Sequence, residues 1–463
     1  MNEKTYTSGQ LLKRFIPYFK PYKNILIFDL ICALLTTICE IVLPMIMRHI
    51  TNTALVDVGL LSAKLIGGLG ALYLALRIVD ALSNYYMANM GHVMGAMMET
   101  DMRRDAYEHL LKLSDTYYNN TEKDGLPEGA ILGSLNTIAA QHPEILAPYY
   151  NALASKGDGV THFNTTFVQD GIVLYIPRNK KAETTVQLMN LLRTNVEMLF
   201  NRRLLIILED GAEASMLICD HAVEKIKTLS VQVAEVFLGC NASFDLYELE
   251  ETQAENRRIN QLFVRQQAGS HFNHTNITLT NGVTRNSAHV SLEGEGAEVN
   301  MYGLAISDKQ QQVENNTLVD HKVGHCASNE LYKYVLDDSA KGVFAGKMLI
   351  RKDAQQTVSH QTNRNLCLTK SAHIYTQPQL EIYADDVKCS HGSTVGQLDE
   401  NALFYMQQRG IPKEEARHLL MFAFAGEVID AIKIDALRER LHILVEKRFR
   451  GELNRCKGCS LCK

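Results

Sequence analysis

The chain has 463 residues, of which 46% are apolar and 21% are charged, and its formal net charge is −5. These averages describe an ordinary folded protein and exclude both a polybasic nucleic-acid binder and an acidic low-complexity chain. Ten cysteines are too few for a disulfide scaffold of this length. No secretory signal with a cleavage site opens the chain, so a reducing cytosol is expected. The length suggests about three domains.

Two long apolar segments near the N-terminus predict membrane-spanning helices. Residues 25–47 and 65–82 are each long enough to cross a bilayer and carry only two charges. In the second segment, Arg77 and Asp80 lie three residues apart and can pair on one helix face. Basic residues flank the two segments on their outer sides, which predicts a hairpin in the inner membrane with both ends in the cytosol. The alternative is a pair of buried helices in a soluble domain.

The order of these segments is typical of one transporter class. The residues LLKRFIPYFKPYK at 11–23 and MGHVMGAMMETDMRRDAYEHLLKLSDTYYNNT at 90–121 resemble the start of an exporter-type ABC transporter membrane domain. The resemblance implies a transmembrane helical hairpin over residues 1–121. Because no further membrane span and no G-x-x-x-x-G-K-[ST] phosphate loop follow, we do not expect a complete exporter.

Short apolar alternations replace the long apolar runs after this hairpin. Residues 243–249 alternate with the two-residue period of a half-buried strand. A weak repeat places a turn residue before a strand at Gly211, Asn241, Gly269 and Gly296, at intervals of 30, 28 and 27 residues. Such periods indicate stacked units, so we predict a mainly β fold built as a solenoid. A two-sheet sandwich is the alternative.

The last part of the chain is predicted to be helical. Residues 400–409 and the stretch after Pro412 are rich in helix formers, and apolar residues recur from Leu419 to Ile432. The basic residues that follow alternate with glutamates and lack an aromatic stacking run, which favours a solvated helix face over RNA binding. The predicted domains are a hairpin at 1–121, a junction with a partial N-terminal region at 122–200, a β core at 201–399, and a helical domain with a cysteine-rich tail at 400–463.

Signatures of catalysis are absent from the sequence, and two cysteine features remain. The chain has no G-x-S-x-G, H-E-x-x-H or G-x-G-x-x-G motif. Cys389 and His391 share one face of a predicted strand and could together meet a soft metal ion or iron–sulfur fragment. The alternative is a buried thiol beside a surface histidine. Cys456, Cys459 and Cys462 suit zinc or an iron–sulfur cluster, or are three reduced thiols on a mobile tail.

Four segments carry a second resemblance, which runs from about residue 126 to residue 463. The segments are FNTTFVQDGIVLYIPRN (163–179), QTNRNLCL (361–368), LEIYADDVKCSHGSTVGQLDENALFYMQQRGI (380–411) and ARHLLMFAFAGEVIDAI (416–432). Together they resemble the SufD family of iron–sulfur cluster assembly scaffolds. The run ADDVKCSHGSTVGQLD within residues 380–411 is highly specific to the SufB/SufD pair.

This second resemblance implies a right-handed β-helix followed by C-terminal helices, in a cytoplasmic, non-enzymatic scaffold subunit over residues 122–463. It implies SufB as a partner through the β-helix and the ABC-type ATPase SufC as a partner on the helices. It also implies a transient iron–sulfur cluster at the SufB interface, where Cys389 and His391 would lie, and a flavin on the complex. The residues that match the SufC-docking region are Leu419, Leu420, Phe422, Phe424, Val428 and Ile429.

The two resemblances leave alternatives for the whole chain. It is predicted to be a cluster-assembly scaffold, and the alternatives are a membrane-domain fragment of an exporter or a chimera of the two. The composition break near residues 121–126 favours an accidental join over a natural membrane-tethered scaffold. Because most of the helical N-terminal portion of the SufD family is replaced, we expect the first β layers to expose strand edges.

Overall fold

The computed structural model describes residues 17–56, 62–91, 93–95, 97–98, 101, 125–192, 196–222 and 225–452. The chain divides into two compact units, Met1–Asn120 and Thr121–Lys463. Among the described residues the first unit is helical, and the second unit contains the strands.

The first unit contains two long helices where the apolar segments predict them. Helix α1 covers Lys23–Val56 and helix α2 covers Ala63–Tyr86, followed by a π-helical turn at Met87–Gly91. Both helices are long and apolar enough to cross a membrane. Their large apolar side chains are mostly exposed, which fits lipid contact better than the core of a soluble domain. The predicted pair forms, with Arg77 Nη1 3.4 Å from Asp80 Oδ2.

The second unit is a parallel β-solenoid, which confirms the mainly β prediction and excludes the sandwich alternative. From β2 onward the chain alternates between two sheets, and each strand pairs in parallel with the strand two positions later. Sheet A contains β1 Ile131–Ser134, β2 Gly171–Ile176, β4 Met198–Leu208, β6 Thr228–Leu238, β8 Asn256–Gln266, β10 Val283–Leu292, β12 Gln312–His321, β14 Lys341–Ile350 and β16 His373–Ile382. Sheet B contains β3 Val186–Leu192, β5 Glu213–Ala222, β7 Ser243–Glu251, β9 His271–Thr280, β11 Glu298–Ser307, β13 Ala327–Leu336, β15 Thr357–Cys367 and β17 Val387–Gly396.

The sequence repeat marks one corner of the solenoid, between a sheet A strand and the sheet B strand that follows it. Gly211, Asn241, Gly269 and Gly296 all have left-handed backbone conformations, with φ between 56° and 72°. This region suits glycine and asparagine, which explains the residue types. Each corner is hydrogen-bonded to the next turn, for example from the Asn241 amide to the Ala268 carbonyl at 2.8 Å. A Cβ atom on Gly269 would lie only 2.3 Å from Asn241 Oδ1.

Helices cover the outer faces of both sheets. On sheet A, apolar side chains of helices α3 Leu135–Gln141 and α4 Pro143–Leu146 pack against early strands such as β2 and β4. Helix α5 Gly159–Phe167 is fixed there by Asn164 Nδ2, which donates to the backbone carbonyl oxygens of β4 and β6 at 3.1 Å. On sheet B, the last two of three C-terminal helices pack against β9, β11 and β13, and the helices are α6 Glu400–Gln408, α7 Lys413–Ile429 and α8 Asp435–Phe449. The predicted helical C-terminal region is thereby confirmed.

The expected strand edges are present at the start of the solenoid, and in sheet A the edge strand is β1 rather than β2. The short strand β1 pairs antiparallel with β2, from Ile131 opposite Tyr175 to Ser134 opposite Ile172, and occupies the edge that β2 would otherwise expose. A four-residue edge strand offers little template for further pairing. Strand β3 remains the edge of sheet B.

Candidate functional site at the open end of the solenoid

Cys389 and His391 lie on β17, the edge strand of sheet B and the last strand of the solenoid. Their in-register partners on β15 are Ser359 and Gln361, which are buried inside the solenoid. Since parallel in-register neighbours point to the same face, the thiol and the imidazole both belong to the inner face, as their spacing predicts. Ser390 points outward between them and lies 2.8 Å from the Nδ1 atom of His360.

Among the described residues no later turn covers β17, and its two candidate side chains differ in burial. Cys389 is half-buried and packs near Ile350, Ala354 and Ala384. This burial raises the pKa of the Cys389 thiol, so the free thiol is the stable form. His391 is exposed, and its ring is accessible to a ligand or a partner. The arrangement places one protected thiol and one accessible imidazole on the same open face.

The open end also carries an apolar surface. Strands β16 and β17 are the last strands of their sheets, and edge strands present backbone groups that can pair with another chain. Several large side chains near these strands are exposed to solvent, namely Tyr375, Ile382, Tyr383 and Val395. Exposed apolar side chains next to an unpaired strand are typical of a protein–protein contact.

Two columns of polar side chains run inward from this end. Ser359 lies directly above Ser328 on β13, and their hydroxyl oxygens are 2.8 Å apart. Gln361 lies above Glu330, and the Gln361 Nε2 atom donates to the Glu330 Oε2 atom at 2.8 Å. Burial raises the pKa of Glu330 to about 7, despite the hydrogen bonds from Gln361 and Thr317 that favour its ionised form.

A buried ionic network lies deeper in the interior. Asp220 pairs with Arg202 at 2.5 Å and with Arg258 at 2.7 Å, and Glu248 lies 2.9 Å from His274 Nε2. Although burial acts to raise the pKa of Glu248, the His274 hydrogen bond and the Arg258 charge lower it to about 2. The same attraction to arginines lowers the pKa of Asp220 in spite of its burial. Because these buried charges pair with one another, we assign the network a structural role. The polar groups that another molecule can reach are those at the open end.

Sequence reasoning missed both the polar columns and this network. The signal was present as polar residues at alternate, inward positions of strands, repeated about one turn apart. This pattern can be recognised only when the register between turns is known, because the number of residues per turn varies along the chain.

The predicted ATPase-docking residues divide into buried and accessible groups on α7. Val428 and Ile429 are fully buried against sheet B, and Phe422 and Phe424 pack partly against the same core. Leu419 is 41% exposed and Leu420 is half-buried. The accessible part of the predicted surface is therefore the N-terminal half of α7.

Helix α7 is also fixed to sheet B by charge. The Lys333 ammonium on β13 pairs with Glu427 and donates to the Phe424 carbonyl oxygen at 2.8 Å. Glu427 also pairs with Arg364 on β15, at 3.1 Å. One carboxylate thus links the helix to two adjacent strands beneath the open end.

The remaining predicted ligands, Cys456, Cys459 and Cys462, lie outside the described residues. Within the described part of the chain, no group of three or more His, Cys, Asp or Glu side chains is arranged to hold a metal ion. Cys389 and His391 would therefore need ligands from outside the described residues, such as a partner, to complete a metal site.

Comparison with known proteins matches different families to different parts of the chain. Residues 191–424 match the SufBD core domain of the SUF system for FeS cluster assembly, and residues 92–188 match the SufBD protein N-terminal region. Residues 26–137 match the ABC transporter transmembrane region, so two matches overlap over 92–137. Both resemblances drawn from the sequence are confirmed.

Whole proteins give the same result. An iron–sulfur cluster assembly SufBD family protein of Synechocystis sp. is 30% identical over 70% of this chain and 73% of its own length. The iron–sulfur cluster assembly protein SufD of Escherichia coli is 32% identical over 53% of this chain and 58% of its own length. SufD of Bacillus subtilis is 26% identical over 70% of this chain and 75% of its own length.

Proposed function

This chain belongs to the SufBD family of iron–sulfur cluster assembly proteins, and from that membership we propose that it is the SufD-type scaffold subunit of an assembly complex. In this proposal the open end pairs with a SufB-type subunit, and the C-terminal helices carry the ABC-type ATPase SufC. The observation that carries it is the position of Cys389 and His391 on an uncovered edge strand, beside exposed apolar side chains.

Pairing at the open end follows from the chemistry of an edge strand. A partner strand that adds to β16 or β17 satisfies their free backbone groups and buries Tyr375, Tyr383 and Val395. The same contact encloses the Cys389 thiol and the His391 imidazole in a site of lower dielectric. Iron and sulfide are the substrates there, and a thiolate and an imidazole are ligands that iron accepts.

The scaffold itself needs no catalytic group in this proposal, because nucleotide hydrolysis belongs to the ATPase. A force on the accessible half of α7 reaches the sheet through Glu427, which links the helix to Lys333 and Arg364. These two residues lie on β13 and β15, the strands directly beneath Cys389 and His391. Flavin binding and metal binding by Cys456, Cys459 and Cys462 stay predictions for the assembled complex.

Substitution of His391 tests the proposed site. In the complex with its SufB-type and ATPase partners, His391→Ala is expected to lower the yield of reconstituted cluster about tenfold or more and to leave ATPase binding unchanged. His360→Ala is the matched control, because His360 lies on the adjacent strand but on the outer face, against Ser390. An unchanged cluster yield in His391→Ala would remove this residue from the mechanism.

A membrane location is a second proposal, carried by α1 and α2 and by the ABC transporter transmembrane match. The hairpin would anchor the solenoid at the cytosolic face of the inner membrane. Fractionation of cells that express the full chain, followed by carbonate extraction, should leave it in the membrane with SufB-type and ATPase partners attached. Full release of the chain by carbonate would exclude the anchor, and membrane residence without those partners would favour an exporter fragment.

A further inference from the structure

One polar column connects the buried interior to the candidate assembly site. Glu330, Gln361 and His391 occupy equivalent positions on the last three strands of sheet B, and each is the in-register partner of the next. Glu330 is fully buried and Gln361 is 1% exposed, whereas His391 is exposed and no strand of the described residues lies above it. The column therefore ends in the imidazole that the proposed function places at the cluster.

The Gln361 side chain is held in place from below and across the interior. Its Nε2 atom donates to Glu330 Oε2 at 2.8 Å. It extends over Gly346 on β14, where a Cβ atom would lie only 2.3 Å from Nε2. Any larger residue at position 346 would displace the amide, so a glycine at this point makes room for it.

Two oxygen atoms in this column have no hydrogen-bond partner. They are Glu330 Oε1 and Gln361 Oε1, both buried. Protonation of Glu330 would give its Oε1 atom a partner, because the Oε1–H group can donate to the Gln361 amide oxygen. The acid and the amide would then be joined by two hydrogen bonds. The raised pKa of Glu330 agrees with this neutral form. The second lone pair of Gln361 Oε1 remains free for a donor from the turn above.

We propose that Gln361, held by Glu330, positions the His391 imidazole by accepting a hydrogen bond from one of its ring nitrogens. This inference rests on the proposed function, since it assigns a role to Gln361 through His391. The ring nitrogen that donates to Gln361 would be protonated, so the opposite nitrogen would carry the lone pair and face the open end. Fixing the tautomer of a ligating histidine in this way is a general use of neighbouring polar groups.

The chain offers a matched pair of substitutions to test this. Gln361→Met keeps the length of the side chain and removes its polar atoms. Asn365→Leu removes another buried amide from the same strand, but the column above Asn365 ends in Val395. A third variant, Glu330→Gln, keeps a neutral two-pronged partner for Gln361.

The primary measurement is the ¹⁵N NMR signal of the His391 ring in the full-length protein, assigned by its loss in His391→Gln. Wild type, Asn365→Leu and Glu330→Gln are expected to show two well-separated ring nitrogen shifts at one fixed pH, the pattern of a single tautomer. In Gln361→Met the two shifts should converge. Unchanged shifts in Gln361→Met, or equal convergence in Asn365→Leu, would overturn the proposal.

Cluster yield in the complete complex separates this inference from the proposed function. Gln361→Met should lower the yield about tenfold, and Asn365→Leu should stay within about twofold of wild type. If His391→Ala leaves the yield unchanged, the proposed function of His391 fails, whereas the NMR shifts still decide whether Gln361 positions the ring.

Discussion

The two ends of the solenoid are built in opposite ways. At the start, β1 covers the edge of β2, and α3 to α5 close the outer face of the early turns. At the finish, β16 and β17 have no neighbour beyond them among the described residues, and Tyr375 and Tyr383 are about two-thirds exposed at 61% and 63%. The first end covers β2 and the outer face of sheet A with residues of the chain itself, and leaves the short strand β1 and strand β3 as its edges. The second leaves two edge strands, exposed apolar side chains and His391 uncovered, so the proposed function lies at the less covered end.

A buried charge pair at the covered start should give the largest effect on stability. Glu235 is fully buried and accepts hydrogen bonds from Arg203 and from the backbone amides of Asn151, Leu153 and Ala154. Glu235→Leu leaves the Arg203 charge unpaired, which should lower the free energy of unfolding by about 3–5 kcal/mol in urea titrations.

The corresponding control lies at the open end. Glu381→Gln removes the exposed partner of Lys347, and it should change stability by less than about 1 kcal/mol. Equal losses in the two variants would contradict the difference between the ends.

A pH-dependent effect of intermediate size is expected from Glu330. Its pKa is about 7 in the folded protein against an ordinary value of 4.5, so between these values the folded state binds more protons than the unfolded state. The free energy of unfolding should therefore fall as pH rises from 4.5 to 7. Glu330→Gln has no carboxyl group to titrate, so its free energy of unfolding should not fall in this way. The free energy of unfolding of the variant relative to wild type should therefore rise across that pH range, by about 3 kcal/mol at most. A constant difference between the two unfolding curves would show that Glu330 titrates normally.

The smallest effect on stability is expected on the edge strand itself. Val395→Lys places a charge on an exposed position of β17 and should change the free energy of unfolding by no more than about 0.5 kcal/mol. The same variant should abolish co-purification with the SufB-type subunit, because pairing would bury the charge. Val283→Lys, at an exposed position on β10 in the middle of sheet A, is the control that should retain the partner.

Much of the second unit could be predicted from residue types at single positions. Gly211, Asn241, Gly269 and Gly296 revealed the corner, since glycine and asparagine adopt its left-handed conformation more readily than other residues. The Cys389 and His391 spacing predicted their common face, because strand periodicity is local. Such features depend on one strand or one turn at a time.

Features that depend on two turns escaped prediction. The pairing of Glu330 with Gln361 spans 31 residues, while His391 lies 30 residues further, so no fixed period finds the column. Val428 and Ile429 matched a docking surface by sequence, yet they pack on the chain's own sheet. An apolar helix face indicates that another surface covers it. Only the tertiary structure shows whether that surface belongs to the same chain or to a partner.

The stacked corner residues restrict how this scaffold can change in evolution. Duplication of the segment between two corners, such as Asn241 and Gly269, would add one rung and keep every later side chain in its column. Insertion of one residue in β17 ahead of His391 would instead exchange the inner and outer faces of the remainder of that strand, and His391 would leave its position above Gln361. The solenoid can therefore gain complete turns while Cys389 and His391 keep their positions on its last strand.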